Sequence, residues 1–302
     1  MRPHDAITGW DDHTNAEQYH RFTQAFPLYQ QTSRDLVVRA SLHDKTLAVD
    51  LCGGTGVTAA TMLDTMPAHG RVITIDSSAA MQAVGRRVRP DPRLNWVTSR
   101  AEDVDKHVGE PIAAVLCNAG IWKTDTPATF AAARRLLEPG GLLVFNIAGG
   151  FAGLANHSRT ARHGPSLNQL IHDIAAQRYG NPPPSQQLER PALTRQLVTQ
   201  QLQDNGFRVH SLEVVVHEGT VEEKKAWLSI PLFARPAADL THEQRLAILE
   251  EAYALVDKNR PVTTPWLVVV AAAAPVRTPP PRHSAPAHRS DTAQVTAARN
   301  EG

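Results

Sequence analysis

Three glycines lie within four residues, Gly53-Gly54-Thr55-Gly56, shortly after Asp50 at the end of an apolar run. Glycine lets the backbone approach a ligand closely, and a helix that begins after such a loop presents unpaired N–H groups. The apolar run 46–51 predicts a buried strand and 57–66 predicts a helix, so the glycines connect the two. The pattern predicts a ligand-cradling loop, although a tight turn without a ligand could have the same sequence.

Three further polar positions follow apolar runs of the same kind. Asp76 ends the run 71–76, twenty positions after Gly56, where an acid can accept hydrogen bonds from both hydroxyls of a ribose. The segment RAEDV, 100–104, follows the run 94–98, and Asn118 ends the run 112–118. Together these positions predict a nucleoside site, with residues 100–104 close to the base.

Strands and helices alternate through the first half of the chain. We predict strands at 46–51, 71–76, 94–98, 112–118 and 141–147, separated by helices that include 57–66, 78–89 and 127–137. This order implies a parallel sheet with right-handed crossovers. After residue 147 we predict helices at 166–179 and 191–206, strands at 207–217 and 264–273, and capping boxes at Thr220-x-x-Glu223 and Thr241-x-x-Gln244.

The domain organisation follows from the same pattern. Residues 1–43 carry aromatic residues at helical spacing before the first strand and are interpreted as a helical lid. Residues 44–274 form the main domain, with an insertion at about 148–191 that is placed to cover a ligand. Residues 275–302 have too few apolar residues for a core and are predicted to be a disordered tail.

With these motifs identified, the chain resembles the small-molecule type of class I S-adenosylmethionine-dependent methyltransferases over roughly residues 19–147. The resemblance rests on Asp50-Leu51-Cys52-Gly53-Gly54-Thr55-Gly56, on the DSSAAM motif at 76–81, and on LLEPGGLLVF at 136–145. It implies an α/β fold with a doubly wound, Rossmann-like sheet of seven strands. The implied strand order is 3-2-1-4-5-7-6 with the last strand antiparallel, below an N-terminal helical lid.

The resemblance also implies that S-adenosylmethionine is the cofactor and assigns residues to it. Asp76 would bind the ribose, Ser77 and Met81 would flank the adenine, and Ala101 and Glu102 would lie near its amino group. The remaining implied cofactor residues are Tyr19 on the lid and, near the methionine portion or its loop, Asp50, Gly53, Gly54, Gly56 and Asn118. Two positions depart from the family pattern: Cys52 replaces the first alternate glycine, and Arg100 stands where many relatives carry an aspartate.

Methyl transfer needs a base only if the acceptor atom must lose a proton. His157 follows the fifth strand by about ten residues and is the candidate catalytic base, although a solvated loop histidine has the same appearance. His163 and His20 are further candidates, Trp122 could stack on a substrate or pack under the lid, and Lys123 and Asp125 are interpreted as surface charges.

Two alternative functions were weighed against methyl transfer. Asn118-Ala119-Gly120 is similar to a motif of short-chain NAD(P)-dependent oxidoreductases, but these also need a Tyr-x-x-x-Lys pair. The residues four positions after the tyrosines are Thr23, Ser33, Pro183 and Asp257, which argues against that family. A protein that binds S-adenosylmethionine without transferring its methyl group, as a pericyclic catalyst or a binding module, remains open.

Composition narrows the partners. The 302 residues carry a formal net charge of +1, which does not favour nucleic acid, and no spacing typical of metal ligands occurs. Two cysteines, no signal-like N-terminus and no membrane-length apolar run predict a cytoplasmic protein without disulfides. We expect a small-molecule substrate, such as a metabolite or natural-product intermediate, while the oligomeric state, a homodimer included, stays open. In the implied strand order, Cys52 and Cys117 should lie close together.

Overall fold

The structure is a computed structural model, and it describes residues 9–154, 164–180, 192–235 and 240–275. His157, His163 and all of the predicted tail except Pro275 lie outside these residues. Among the described helices, none combines the length and the apolar character that crossing a lipid bilayer requires.

A single mixed sheet forms the centre of the described chain. Its strands are β1 (Leu47–Leu51), β2 (Arg71–Asp76), β3 (Leu94–Thr98), β4 (Ile112–Cys117), β5 (Leu137–Ala148), β6 (Phe207–Gly219) and β7 (Val262–Ala273). Their order is β3-β2-β1-β4-β5-β7-β6. Strands β1 to β5 pair in parallel, whereas β7 is antiparallel to both β5 and β6. The predicted fold class, strand order and antiparallel last strand are confirmed.

Helices cover both faces of the sheet. They are α1 (His13–Ala25), α2 (Leu28–Ala40), α3 (Val57–Thr65), α4 (Ala79–Val88), α5 (Thr126–Leu136), α6 (Leu167–Tyr179), α7 (Arg195–Asp204), α8 (Val221–Ser229) and α9 (His242–Leu255). Leu47, Val49 and Leu51 of β1 pack on the face covered by α5 and α7, and Ala48 packs on the face covered by α2 and α3. Burial on both faces fixes the carboxyl ends of the parallel strands relative to one another.

The segment predicted as a lid divides into two parts. Leu36, Val37 and Ala40 of α2 pack into the core beneath the sheet, and Ser33 Oγ lies 2.9 Å from Thr58 Oγ1 of α3. Helix α2 is therefore one layer of the fold, while α1 and residues 9–12 extend over the carboxyl ends of the strands.

The capping predictions had different outcomes. At α9 the box is complete, because the Thr241 and Gln244 side chains each accept a hydrogen bond from the other residue's backbone N–H. At α8 the Thr220 side chain accepts from the Glu223 N–H at 3.0 Å, but the Glu223 carboxylate lies beside His217. The second half of the predicted box at Thr220 is therefore wrong, and Glu223 is used elsewhere.

Candidate functional site

A cavity of about 600 Å³ opens at the carboxyl ends of β1, β2, β4 and β5. The loops after these strands contribute Gly54, Asp76, Asn118 and Phe151 to its wall. Ligands of parallel α/β sheets bind at this edge, and the volume is typical of a small-molecule site.

The loop between β1 and α3 turns through three left-handed residues, Cys52 (φ 55°), Gly54 (φ 55°) and Gly56 (φ 79°). The Gly53 N–H donates to the Ile75 carbonyl at 3.0 Å, which ties the loop to β2. Gly54 lies on the cavity wall, whereas Gly56 faces the Trp96 ring behind the loop. The two glycines therefore serve different purposes.

We expect alanine at these two positions to have separable effects. At Gly56 the added Cβ would lie 2.5 Å from Trp96 Cη2, so strain and overpacking should reduce the free energy of unfolding by about 2–4 kcal/mol. At Gly54 the Cβ would meet only the flexible end of Met81, 3.0 Å away, so the loss should be about 1–2 kcal/mol and ligand binding should weaken. Urea unfolding of both variants tests this; equal losses of stability would contradict it.

Asp50 lies behind the same loop, fully buried and off the cavity wall. Its Oδ2 accepts a hydrogen bond from the Ala59 N–H at 3.0 Å, in the first turn of α3. Burial raises the pKa of Asp50 to about 8. Asp50 thus joins β1 to α3 as a carboxyl group that is largely protonated at neutral pH.

Asp76 ends β2 directly on the cavity wall. Its Oδ2 accepts from the Gly54 N–H at 2.9 Å, and its Oδ1 accepts from the Ser78 N–H at 2.8 Å. Burial raises the pKa of Asp76, while these two hydrogen bonds and the Lys123 ammonium oppose the rise. Because each carboxylate oxygen can accept a second hydrogen bond, Asp76 is held in place with capacity for two ligand hydroxyls.

Trp10 and Asp11, before α1, are hydrogen-bonded to the start of α4, next to Asp76. Ser78 Oγ accepts from the Met81 N–H at 3.0 Å and donates to the Trp10 carbonyl at 2.8 Å. Asp11 Oδ1 accepts from the Ala80 N–H at 3.1 Å. These hydrogen bonds hold Trp10 and Asp11 over the cavity.

Aromatic rings from α1 and α2 continue this cover. The Tyr19 ring centroid lies 5.5 Å from that of Trp10, edge to face, and 5.1 Å from that of Tyr29. Burial raises the pKa of Tyr19 well above its usual value, and the neighbouring Tyr29 adds to the rise. Tyr19 therefore presents a protonated hydroxyl and an apolar ring, as expected for a residue that covers a ligand.

The wall beyond Asp76 contains the four residues predicted near the adenine, Ser77, Met81, Ala101 and Glu102. Glu102 accepts from the Arg100 guanidinium at 3.1 and 3.2 Å and from the Asp125 N–H at 2.7 Å. Burial raises the pKa of Glu102, but these bonds outweigh that effect and lower it overall. Arg100 therefore holds an ionised Glu102 on the wall.

Asn118 is fixed by a polar network at the end of β4. Its Nδ2 lies 3.1 Å from Thr32 Oγ1 and 3.0 Å from Ser33 Oγ, and its Oδ1 accepts from Asn146 at 2.8 Å. The following Ala119 is left-handed (φ 59°), and its N–H donates to Asn146 Oδ1 at 2.7 Å. The Asn118-Ala119-Gly120 motif is thus a tight turn on the cavity wall.

The interpretation of Lys123 as a surface charge is wrong. Its side chain reaches into the cavity, and Nζ lies 4.3 Å from the Trp10 ring centroid. Burial lowers the pKa of Lys123 to about 8, against the influence of Asp76. Asp125, by contrast, is exposed and caps α5 by accepting from the Ala128 N–H.

Trp122 also lines the cavity. Its ring stacks on that of Phe151 with centroids 4.8 Å apart. The Trp122 ring therefore both packs against a neighbouring ring and forms part of the cavity wall, so its packing role and a role in contacting a ligand are compatible.

The opposite end of the cavity is formed by the connection between β6 and β7, which the sequence patterns did not single out as a site. Its lining residues are Thr220, Glu223, Lys224, Trp227, Leu232, Phe233 and Arg235. The predicted insertion at 148–191 contributes only residues 148–151 among those described. Two aromatic residues close together in the sequence, Trp227 and Phe233, were the signal from which this part of the cavity wall could have been predicted.

Glu223 and His217 form a buried pair at this end. Their side chains are 9% and 8% exposed, and His217 Nε2 lies 3.5 Å from Glu223 Oε2. The other carboxylate oxygen, Oε1, is buried without a hydrogen-bond partner among the described residues. A side chain at Gly219 would clash with Oε2, so the glycine provides the space for this carboxylate.

Lys224 lies beside this pair on the cavity wall. Its Nζ is 4.5 Å from the Trp227 ring, and that ring stacks on Phe233 with centroids 3.9 Å apart. Burial lowers the pKa of Lys224 to about 8, and the nearby Arg235 lowers it further. The described residues thus place a carboxyl group, an imidazole and an amine at one end of the cavity, on Glu223, His217 and Lys224.

The predicted base candidates are not brought together with this site. His20 does not line the cavity, and its Nδ1 is buried without a partner in the described part of the chain. Burial lowers the pKa of His20. His157 and His163 lie outside the described residues, so a catalytic role for His157 stays a prediction.

Cys52 and Cys117 lie side by side, as predicted from the pairing of β1 with β4. Both flank Gly120, where an added Cβ would clash with Cys52 Cβ and lie 3.4 Å from Cys117 Sγ. The Cys117 thiol and burial raise the pKa of Cys52 well above its usual value. Cys52 lines the cavity and Cys117 is buried beneath it.

The predicted cofactor residues therefore separate into two groups. On the cavity wall are Tyr19, Gly54, Asp76, Ser77, Met81, Ala101, Glu102 and Asn118, and behind it are Asp50, Gly53 and Gly56. Across the residues that the structure describes, no cluster of three or more His, Cys, Asp or Glu side chains could hold a metal ion.

Comparison with known proteins agrees with this geometry. Residues 48–141 match the family model described as a methyltransferase domain. Over 139 residues the chain is 30% identical to trans-aconitate 2-methyltransferase of Azoarcus sp. (strain BH72), covering 46% of this chain and 50% of that protein. The chain thus spans about half the length of this curated relative.

Solved structures share the fold at low identity. One lies in the complex of the Haloferax volcanii Trm112 methyltransferase activator with a methyltransferase; it is 15% identical, has a TM-score of 0.50, and the match covers 84% of this chain and 93% of that one. A structure from Bacillus halodurans C-125 named as a methyltransferase is 14% identical with a TM-score of 0.48, over 80% of this chain and 99% of that one. Residues 48–141 thus match a methyltransferase domain, and the strand order β3-β2-β1-β4-β5-β7-β6 is the one implied by the resemblance to class I S-adenosylmethionine-dependent methyltransferases.

Proposed function

We propose that this chain binds S-adenosylmethionine around Asp76 and catalyses transfer of its methyl group to a small organic acceptor. The observation that carries the proposal is the Asp76 carboxylate, fixed by the N–H groups of Gly54 and Ser78 at the end of β2. A carboxylate held there can accept hydrogen bonds from two ribose hydroxyls.

The residues around Asp76 fit the rest of the cofactor. Met81 offers an apolar contact for a flat base, and the ionised Glu102 offers an acceptor for an amino group. Gly54 leaves room for the cofactor to approach the loop closely, and the Tyr19 ring covers the loop. When bound, S-adenosylmethionine supplies a methyl group already activated on a sulfonium, so the chain's main task is alignment.

The acceptor would occupy the end formed by residues 220–235. A cavity of about 600 Å³ roofed by Trp10, Tyr19 and Phe233 suits a small molecule better than a protein or nucleic-acid chain. The trans-aconitate 2-methyltransferase relative supports a small acceptor, such as a metabolite or natural-product intermediate. The two free thiols support a role in the cytoplasm.

Calorimetry with the product S-adenosylhomocysteine and with NAD tests the cofactor assignment. We expect saturable binding of S-adenosylhomocysteine and no response to NAD, because β7 lies antiparallel between β5 and β6, where a dinucleotide-binding domain would have a parallel strand. Binding of NAD alone would contradict the proposal.

Mass spectrometry tests the transfer itself. Incubation with S-adenosylmethionine and a panel of carboxylic acids (trans-aconitate first), phenols and amines should yield a product heavier by one methylene unit. Tight cofactor binding with no methylated product from any acceptor class would instead favour a protein that binds the cofactor without transferring its methyl group.

A further inference from the structure

We propose that Glu223, positioned by His217, accepts the acceptor's proton during methyl transfer, and that the methylated atom is therefore a hydroxyl oxygen or an amine nitrogen. This assignment rests on the proposed function and names its acceptor class. It concerns the end of the cavity that the family motifs do not cover.

The first support is that Glu223 is built for a ligand. Its side chain is 9% exposed, yet Oε1 has no hydrogen-bond partner among the described residues. A buried acceptor without a partner is destabilising, and more so when it is charged, so the fold keeps this oxygen at a cost in stability. A ligand O–H or N–H donated to Oε1 would remove that cost.

The second support is that Glu223 is not needed as a helix cap. Thr220 already caps α8 through the Glu223 N–H, and the carboxylate turns away to lie against His217 over Gly219. His217 lies beside Oε2, Oε1 is buried without a hydrogen-bond partner among the described residues, and both side chains belong to residues that line the cavity.

The third support is position. From Gly54 on the cofactor loop, a Cβ would lie 4.0 Å from the Tyr19 ring, and that ring lies 5.1 Å from Tyr29. The Tyr29 hydroxyl accepts from Trp227 Nε1 at 3.4 Å, and the Glu223 carboxylate adds to the effect of burial in raising the pKa of Tyr29. Two aromatic rings thus connect the cofactor loop to the end of the cavity that carries Glu223, and the loop and Glu223 line the same cavity.

The step balances without a further reactant. The acceptor oxygen or nitrogen forms a bond to the methyl carbon, the carbon–sulfur bond breaks, and its electron pair stays on sulfur. The acceptor's proton passes to Oε1 of Glu223 and is later released to water. General base assistance of this kind is worth about 10²–10⁴-fold in rate.

The need for a base distinguishes a hydroxyl or amine acceptor from one that is methylated on a carboxylate. A carboxylate acceptor is already ionised at neutral pH and needs no base. Among the described residues at this end of the cavity, Glu223 is the one carboxylate. A hydroxyl or an amine is therefore the kind of acceptor for which a base at Glu223 would be used.

The test uses binding and so does not depend on knowing the acceptor. Sinefungin is an analogue of S-adenosylmethionine in which an amine-bearing carbon replaces the methyl-bearing sulfonium, so its ammonium marks the position of the transferred methyl group. A carboxylate at Oε1 should attract that ammonium. We expect the full chain to bind sinefungin about five- to tenfold more tightly than S-adenosylhomocysteine, and Glu223→Gln to reduce the preference to about twofold or less.

Controls separate charge from folding and positioning. Glu222→Gln removes an exposed carboxylate from the same turn of α8 and should leave the preference unchanged. His217→Gln should reduce the preference in part, because Glu223 keeps its charge but loses its positioning partner. Glu223→Gln should leave the affinity for S-adenosylhomocysteine within about twofold of the unaltered chain.

Each other outcome is decisive. An unchanged preference in Glu223→Gln, or equal weakening of both compounds, would overturn the role of Glu223 while leaving the proposed function intact. Failure of the unaltered chain to bind either compound would refute the proposed function and this assignment with it. A preference lost equally in Glu222→Gln would attribute the effect to general charge and overturn the assignment.

Discussion

Asp50→Asn is expected to remove most of the pH dependence that one buried carboxyl group gives to the free energy of unfolding. Burial raises the pKa of Asp50 from 3.8 to about 8 in the folded chain. Between these values the folded state binds more protons than the unfolded state, so stability falls as pH rises. The slope is up to about 1.4 kcal/mol per pH unit, and the total up to about 6 kcal/mol between pH 4 and 8.

The sign distinguishes Asp50 from an ordinary paired carboxylate. A carboxylate whose pKa is lowered by folding makes the protein more stable as pH rises through that pKa. The Asp50 carboxyl group has the opposite effect, because its contribution to the free energy of unfolding is complete below about pH 4 and is lost as pH rises to about 8. Asparagine has the same shape, retains an oxygen for the Ala59 N–H, and never ionises. Asp50→Asn should therefore become progressively more stable than the unaltered chain as pH rises.

Urea unfolding at intervals from pH 5 to pH 9 measures the difference between the two proteins, in which titration of all other groups largely cancels. Asp125→Asn is the matched control, because it makes the same change at an exposed carboxylate. Parallel pH profiles for the unaltered chain and Asp50→Asn would show that Asp50 is ionised in the folded state, and the account of its burial would fail.

The cofactor half of the site was predictable because its geometry is local. Gly54, Asp76 and Met81 sit within a few residues of a strand end, and the strand–loop–helix unit directs them to one edge of the sheet. Sequence spacing therefore specifies where they lie once the order of parallel strands is known. Asp50 and Gly56 belong to the same motif, but they act behind the loop, a distinction that spacing alone does not contain.

The acceptor half depends on long-range packing. His217 and Glu223 reach the cavity because β7 inserts between β5 and β6 and carries the β6–β7 connection over the strand ends. Nothing within residues 217–223 signals that placement, and the Thr220-x-x-Glu223 pattern pointed to a capping box. The carboxylate was free for another use because Thr220 caps the helix without its help.

Lys123 shows the same limit for a single charge. A lysine in a loop is usually exposed, since burying its ammonium costs several kcal/mol. Here the Trp10 ring and the Asp76 carboxylate lie close to the ammonium, and Trp10 is brought there by bonds from Ser78 to the N-terminal segment. The exposure of Lys123 is thus determined by residues far from it in the sequence.

Asp76→Ala is expected to weaken binding of S-adenosylhomocysteine by a hundredfold or more. The substitution removes the carboxylate that would accept from both ribose hydroxyls, and a hydrogen bond to a charged group is worth about 1.5–3 kcal/mol. It also leaves the N–H groups of Gly54 and Ser78 without their partner, so the loop loses its fixed position. Calorimetry measures the loss of affinity, and urea unfolding checks that the fold persists.

Asp76→Asn tests the same carboxylate with less disturbance. One oxygen can still accept from a backbone N–H, but the amide nitrogen would face the other donor, so we expect an intermediate loss of affinity. Ser77→Ala is the neighbouring control, because Ser77 lines the cavity without holding the loop through a hydrogen bond to its side chain. Its affinity should change by less than about tenfold.

Comparing two ligands in two proteins shows whether Asp76 contacts the ribose directly or only holds the loop in position. If Asp76 accepts from the ribose, the unaltered chain should distinguish S-adenosylhomocysteine from its 2′-deoxy analogue by about tenfold, and Asp76→Ala should bind the two equally. If Asp76 only supports the loop, both proteins should discriminate by the same factor although the variant binds more weakly. The second result would leave the loop account standing and would remove Asp76 from the set of residues that touch the cofactor.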